Sequence, residues 1–212
     1  MNDVSKRVVT LDGTTLNTLD VHDVAHELAI VQVAEEAMLR VASSRKVVDR
    51  IVDGDETVYG INTGFGSLVH TRVNHDEAEQ LQLNLIRSHA TGLGPTLSKE
   101  VVRAMMCVRL NSLAKGHSGV HPDVIQQLTQ FLNNSIHPIV PRIGSLGASG
   151  DLAPLSHLAC ALVGEGRVEL DGEIMTAMEA IQTCEMVPLT LRAKDGLSLI
   201  NGTSLIAGML SI

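Results

Sequence analysis

The segment GSLGASGDLAPLSHL, from Gly144 to Leu158, places three glycines and several small residues just before a helix start, with Pro154 in the first turn. The plainest chemistry for such a stretch is a glycine-rich connection capped by Ser149 or Asp151. Amides at a helix N-terminus also attract anions. A phosphate loop has little support, because no glycine-lysine-serine/threonine run follows and no apolar β-branched run precedes. A serine-hydrolase elbow needs glycine two residues before and two after the serine. Gly147-Ala148-Ser149-Gly150-Asp151 has its second glycine at the wrong offset. A fourth chemistry uses the backbone itself. If a tight fold presses the Gly150 amide nitrogen onto the Ala148 carbonyl, the ring can close. Loss of water from the ring, and then from the Ser149 side chain, leaves a five-membered imidazolone with an exocyclic methylene. Small residues are needed for the chain to fold back on itself, and glycine imposes the least steric cost. The product is an electrophile that ordinary side chains cannot supply. Alanine-serine-glycine is too common a tripeptide for spacing alone to select this reading.

A reactive turn must be held by rigid elements, and the composition can build them. Hydrophobic residues make up 44% and charged residues 19% of the 212, enough for one sizeable core and against disorder. With two Phe, one Tyr and no Trp, that core must come from Leu, Ile, Val, Ala and Met, and Tyr59 stands out as the single tyrosine. The net charge is −8 and no stretch gathers Lys and Arg, which argues against nucleic acid or an anionic membrane as a partner. No apolar run approaches membrane-spanning length, and MNDVSKRVVTLDG lacks a signal-peptide core. Cys107, Cys160 and Cys184 are odd in number and far apart, as expected of reduced thiols in a cytoplasmic protein.

Arg7 to Leu11 reads as a short strand closed by Asp12-Gly13. Apolar residues at three- and four-residue steps predict helix from Val21 to about Val52, in two pieces, ended by Asp53-Gly54. VYGINTGFGSLV, Val58 to Val69, reads as an ordered loop with short extended pieces. Helices are expected from an Asn74 cap to Gly92, from a Ser98 cap to Gly116, over Pro122 to Asn133, and from the Pro- and Gly-rich stretch to about Gly164. RVELDGEIM carries a hairpin signal at Asp171-Gly172. The last segment leads into an apolar helix reaching Ile212 without a cap, which predicts a partner surface or a truncated chain. The expected fold class is mainly α with a few short strands.

GSLGASGDLAPLSH resembles the signature of the aromatic amino acid lyases, the histidine, phenylalanine and tyrosine ammonia-lyases that carry a methylidene-imidazolone. YGINTGFG (Tyr59 to Gly66), LQLNLIRSHATGLG (Leu81 to Gly94), RLNSLAKGHSG (Arg109 to Gly119) and LSLINGT (Leu197 to Thr203) also resemble family segments, in family order. The resemblance runs over nearly the whole chain. It implies an autocatalytic 4-methylidene-imidazol-5-one formed from Ala148, Ser149 and Gly150, with no external cofactor. It makes Tyr59 the base that removes the substrate's β-proton. An ordinary phenol keeps its proton at neutral pH, so that role requires a preformed hydrogen bond or a nearby charge. Ser88-His89 falls where the family sets ring selectivity. Serine followed by histidine is similar to the histidine enzymes, and His89 offers a hydrogen bond to a substrate imidazole. Asn201 matches the asparagine that lies against the imidazolone and the substrate's amino acid end. Asn62 is expected to support the site, and Asp151 to assist ring closure or to serve as a helix N-terminal carboxylate.

Taken together, the resemblance implies a carbon-nitrogen lyase forming trans-urocanate from L-histidine, a small-molecule amino acid substrate. The alternatives are a lyase or aminomutase acting on tyrosine or phenylalanine, and a non-catalytic fragment or assembly subunit. Residues 1–212 correspond to the amino-terminal, electrophile-bearing domain, ending inside a helix of the central bundle. The carboxy-terminal part, which drives a homotetramer and completes the site, is absent, so the isolated chain is expected to be inactive. No metal is expected: His22 and His26 share a helix face, but no third ligand has an evident place. His117 departs from the aromatic residue often found there in the family.

Overall fold

Strand β1, Arg7–Leu11, buries Val9 and Leu11 and pairs in parallel with β2, Ala29–Val33, in register from Arg7 opposite Ala29 to Leu11 opposite Val33. A parallel pair requires a crossover, and helix α1, Thr18–Ala25, supplies it. Asn17 caps α1 in a capping box with Asp20. The reading of Val21 to Val52 as helix in two pieces is therefore corrected at their junction, where β2 lies. Ala29 and Val31 are buried at a period of two, the strand period, and Glu27 turns the chain at φ +60. The second piece is α2, Glu35–Asp53, and Gly54 ends it. The computed structural model describes residues 6–64, 75–145, 147 and 150–212. The expected cap at Asn74 lies outside these residues.

Helix α3, His75–His89, carries Ser88 and His89 on its last turn. Strand β3, Leu93–Thr96, follows, and then α4, Lys99–Ala114, capped by Ser98 as the sequence predicts. Helix α4 is the centre of the molecule: Val102, Met105, Met106, Leu110 and Leu113 are all buried along it. Helix α5, Pro122–Asn133, has the predicted bounds and buries Val124, Ile125, Leu128, Phe131 and Leu132 beside it. Strands β4, His137–Pro138, and β5, Pro141–Ile143, lead to helix α6, Ala153–Leu162, with Pro154 in its first turn.

The predicted hairpin is β6, Arg167–Leu170, and β7, Glu173–Thr176. Asp171 and Gly172 both have positive φ, as a type I′ turn demands. Strand β4 adds to its edge in the order β4-β6-β7. Helix α7, Ala177–Thr183, was not anticipated; a capping box of Thr176 and Glu179 starts it. The terminal apolar stretch is two short helices, α8, Asp195–Ile200, and α9, Ser204–Met209, broken at Asn201 to Thr203. Gly208 lets α9 lie close on α4, since a methyl there would stand 2.8 Å from the Met105 backbone nitrogen. The chain is mainly helical with a few short strands, as expected from its sequence. Among the described residues, no helix is long and apolar enough to cross a membrane.

One buried polar cluster makes stability depend on pH. Arg103 is buried in α4 and donates to the carbonyls of Val24 and Leu132, at 2.8 and 3.0 Å, and to His137 Nε2 at 3.1 Å. An arginine only donates, so His137 accepts at Nε2. Its Nδ1 is buried with no hydrogen-bond partner among the described residues. Burial, and then the Arg103 charge, push the imidazole down to about 4. Folding therefore resists a proton that the unfolded chain accepts below about 6.5. The stability present above that pH is lost as pH falls toward 4, by up to about 3 kcal/mol. Asp195 works in the opposite direction. Burial lifts it to about 6, so the folded state gains stability as pH falls through that value into the usual carboxylate range. Comparison with a His137→Leu variant isolates the histidine. In urea melts at roughly pH 7 and roughly pH 4.5, the parent should lose about 2 kcal/mol more than the variant. Equal losses would show that His137 is not the sensitive group.

Candidate active site

Gly147 and Gly150, which flank Ala148 and Ser149 in sequence, are bonded to each other. Gly147 N donates to Gly150 O at 3.2 Å, and Gly150 N donates to Gly147 O at 3.1 Å, a reciprocal pair. Gly150 has φ +83, which a side chain would oppose. Ala148 and Ser149 themselves lie outside the described residues. Asp151 fastens the loop from both sides, its Oδ1 accepting from Ser145 N at 3.0 Å and from Ala153 N at 3.1 Å. The second bond is the helix N-terminal role expected for this carboxylate. Its carboxylate also occupies the space a Cβ at Gly144 would need. Gly144 thus has no room for a side chain, and the positive φ of Gly150 disfavours one there. A turn held this tightly suits backbone cyclisation across Ala148, Ser149 and Gly150.

Ser88 and His89 close α3. Ser88 Oγ donates to Leu85 O at 2.8 Å, and His89 Nδ1 lies 2.9 Å from the same carbonyl and 3.0 Å from Ser88 Oγ. A carbonyl only accepts, so Nδ1 carries the proton and Nε2 of the neutral ring is an acceptor. Such a ring matches the N–H of another imidazole.

Asn201 follows α8, a helix too short to hold itself. At its start, Asp195 is fully buried and paired with Arg45 at 3.2 Å, and it accepts from His121 N at 2.9 Å and Arg192 N at 2.8 Å. At its end, the buried Arg109 donates to Asn201 O at 2.9 Å and to Ser198 O. Burial alone lowers the Arg109 guanidinium to about 10. Arg109 also fills the space a side chain at Gly202 would need. From α3, Gln82 Oε1 accepts from Leu197 N at 3.3 Å. Asn201 borders a cleft of about 400 Å³ lined by Arg109, Lys115, His117 and Lys194, with no acidic side chain on its wall among the described residues. A methyl on Gly150 would stand 3.7 Å from the Thr203 Cγ2, so the reactive turn lies against the Asn201-to-Thr203 break.

Tyr59 stands on the turn after α2 and is exposed. Asn62 organises that turn and is buried: its Oδ1 accepts from Val58 N at 2.8 Å, and its Nδ2 donates to Glu56 O at 2.8 Å and Ile51 O at 3.3 Å. Asn62 thus holds the turn on which Tyr59 stands. Gly60 has φ +75, and its amide donates to Thr63 Oγ1 at 3.3 Å. The remainder of that loop, from Phe65, lies outside the described residues.

Helices α3, α6 and α8 pack on one another, which brings together the elements bearing His89, Gly150 and Asn201. Arg109, Gln82 and Asp195 were not singled out by the sequence reading. The signal for Arg109 was available, since it is a charge inside the apolar run MMCVRL, where burial demands fixed partners. His22 and His26 rings lie 4.4 Å apart, and no metal-binding group of three or more His, Cys, Asp or Glu occurs among the described residues.

A family profile described as aromatic amino acid lyase matches residues 16–212. The histidine ammonia-lyase of Bacillus subtilis (strain 168) is 50% identical over 202 residues, covering 95% of this chain and 40% of its own length. Among solved structures, the histidine ammonia-lyase of Trypanosoma cruzi superposes with a TM-score of 0.89 at 38% identity, over 97% of this chain and 39% of its own. The tyrosine aminomutase of Streptomyces globisporus superposes with a TM-score of 0.89 at 43% identity, over 96% of this chain and 38% of its own. The chain spans about 40% of the length of the curated relatives it matches.

Proposed function

This chain belongs to the aromatic amino acid lyase family, and from that premise we propose that it serves in the elimination of ammonia from L-histidine to give trans-urocanate. The observation that carries the choice of substrate is the fixed tautomer of His89, whose Nε2 accepts a hydrogen bond and so matches the N–H of a substrate imidazole. The likeness to histidine ammonia-lyases over nearly the whole chain supports the same choice.

The reciprocal Gly147–Gly150 bonds and the positive φ of Gly150 fit a methylidene-imidazolone made from Ala148, Ser149 and Gly150, and that group would supply an electrophile at the substrate. The rest of the chemistry falls to side chains of this chain. Tyr59 removes the β-proton, and its turn, anchored through Asn62, holds the phenol in place. His89 and Ser88 orient the ring. Asn201 holds the amino acid end beside a cleft whose Arg109 and Lys194 favour an anionic carboxylate. Asp151 keeps the turn closed and is placed to assist proton movement during ring closure.

On this reading residues 1–212 are the electrophile-bearing domain. The further length that its relatives have completes the site in a homotetramer. Free thiols at Cys107, Cys160 and Cys184 suit a cytoplasmic setting. The test is a lyase of full family length carrying these residues, assayed with histidine, tyrosine and phenylalanine. Urocanate is expected to form about 10⁴-fold faster than coumarate or cinnamate, the range in which a site built to hydrogen-bond a substrate N–H rejects an analogue lacking it. Preferential formation of either other product would overturn the assignment to histidine.

A further inference from the structure

His157 stands on α6, the helix leaving the reactive turn, and the chemistry above gives it no task. Its Nε2 lies 3.1 Å from the Gly92 backbone nitrogen. An amide only donates, so Nε2 accepts and the neutral ring carries its proton on Nδ1. Burial favours that neutral form, lowering the imidazole below its ordinary value. Gly92 follows His89 by a short, bonded link: Ala90 N donates to Ile86 O at 3.0 Å, and Thr91 N to His89 O at 2.8 Å. On its other side Gly92 meets Pro141. A methyl at Gly92 would stand 3.0 Å from His157 Nε2 and 3.1 Å from Pro141 Cβ. Pro141 opens β5, which runs through Ile143 to Gly144 and the reactive turn.

Among the described residues, the end of α3 is tied to the elements around that turn by its packing on α6, by an ion pair of Arg87 with Glu165 and by the β3–β5 pair, which is exposed along β3 and irregular between Leu93 and Thr96. An exposed, irregular two-stranded ribbon contributes little rigidity. The His157–Gly92 bond is the tie that acts on the backbone three residues after His89. Resting on the reading of Ser88-His89 as the selective pair, we infer that His157 is a positioning residue for substrate choice. By accepting the Gly92 amide, it fixes where the His89 ring stands relative to the electrophile built from Ala148, Ser149 and Gly150. Loss of that bond lets the His89 end of α3 shift, and a shift of about 1 Å can cost up to about a hundredfold in rate.

The experiment uses a lyase of full family length with His157→Leu, which removes the acceptor, and His157→Gln, whose Oε1 restores one. Intact mass first establishes that each protein has lost the two waters of cyclisation. In His157→Leu, kcat/KM for histidine should fall at least about tenfold, and the preference for histidine over tyrosine should narrow similarly. His157→Gln should recover both to within about threefold. A cyclised His157→Leu that keeps histidine kcat/KM and the preference within about twofold overturns the inference. So does a loss confined to kcat with the preference intact. If the leucine variant does not fold, His157→Gln is compared with His157→Asn, which is too short to reach Gly92, and equal preferences in the two overturn it. Failure of the histidine assignment itself would show in the unsubstituted protein, before any variant is compared.

Discussion

With Ser149 replaced by alanine, intact mass should show that the tripeptide keeps at least the water that leaves from the serine side chain, and urocanate formation in a full-length lyase should fall by at least about a thousandfold. The argument lies in what serine alone contributes. The reciprocal hydrogen bonds of Gly147 and Gly150, and the Asp151 carboxylate across Ser145 and Ala153, are all made by other residues and survive the change. The fold should be retained, and thermal unfolding should stay within a few degrees of the parent. What disappears is the hydroxyl whose departure creates the exocyclic methylene. Unchanged mass loss or unchanged turnover in Ser149→Ala would remove the electrophile from the account altogether.

Tyr59→Phe should separate making the electrophile from using it. Only the phenolic oxygen is lost, while Asn62 continues to hold the turn through Val58, Glu56 and Ile51. Cyclisation should proceed, so the mass should match the parent less one oxygen. Removal of a positioned general base lowers kcat by about 10²- to 10⁴-fold, with KM for histidine changed by no more than about threefold. A variant that neither cyclises nor turns over would reassign Tyr59 to maturation. A fully active variant would end its candidacy as the base.

Much of this arrangement was legible in the residues because it depends on local chemistry. Ser98 before α4, Pro122 at the start of α5 and Asp171-Gly172 in the hairpin each declare themselves through a backbone requirement that few residues meet. Strand β2 was hidden because Ala29 to Val33 follows an amphipathic helix, and a short apolar run continues either period equally well. Its partner β1 decides the matter, and α1 separates the two in sequence. Helix α7 was missed for a related reason: seven residues give too few turns for a periodic signal, and only the Thr176–Glu179 box marks it.

The site divides along the same line. Tyr59, His89, Gly150 and Asn201 sit in recognisable motifs, whereas the residues that hold them announce nothing. Arg109 acts on carbonyls of Ser198 and Asn201 far along the chain, and His157 acts on the amide of Gly92. Backbone groups carry no residue identity, so no motif records which side chain will meet them. Asn62 is the exception, since its three bonds reach only the preceding turn and the end of α2.

The contact between Gly150 and Thr203 also bears on the order of events during synthesis. A ribosome delivers the reactive tripeptide well before the break that packs beside it, and α8 cannot seat until Arg109 has met the carbonyls of Ser198 and Asn201. The contact at Gly150 is therefore completed late, by a residue translated some fifty positions after it, and the proposed cyclisation, if it needs that contact, follows the synthesis of α8 and the break beyond it.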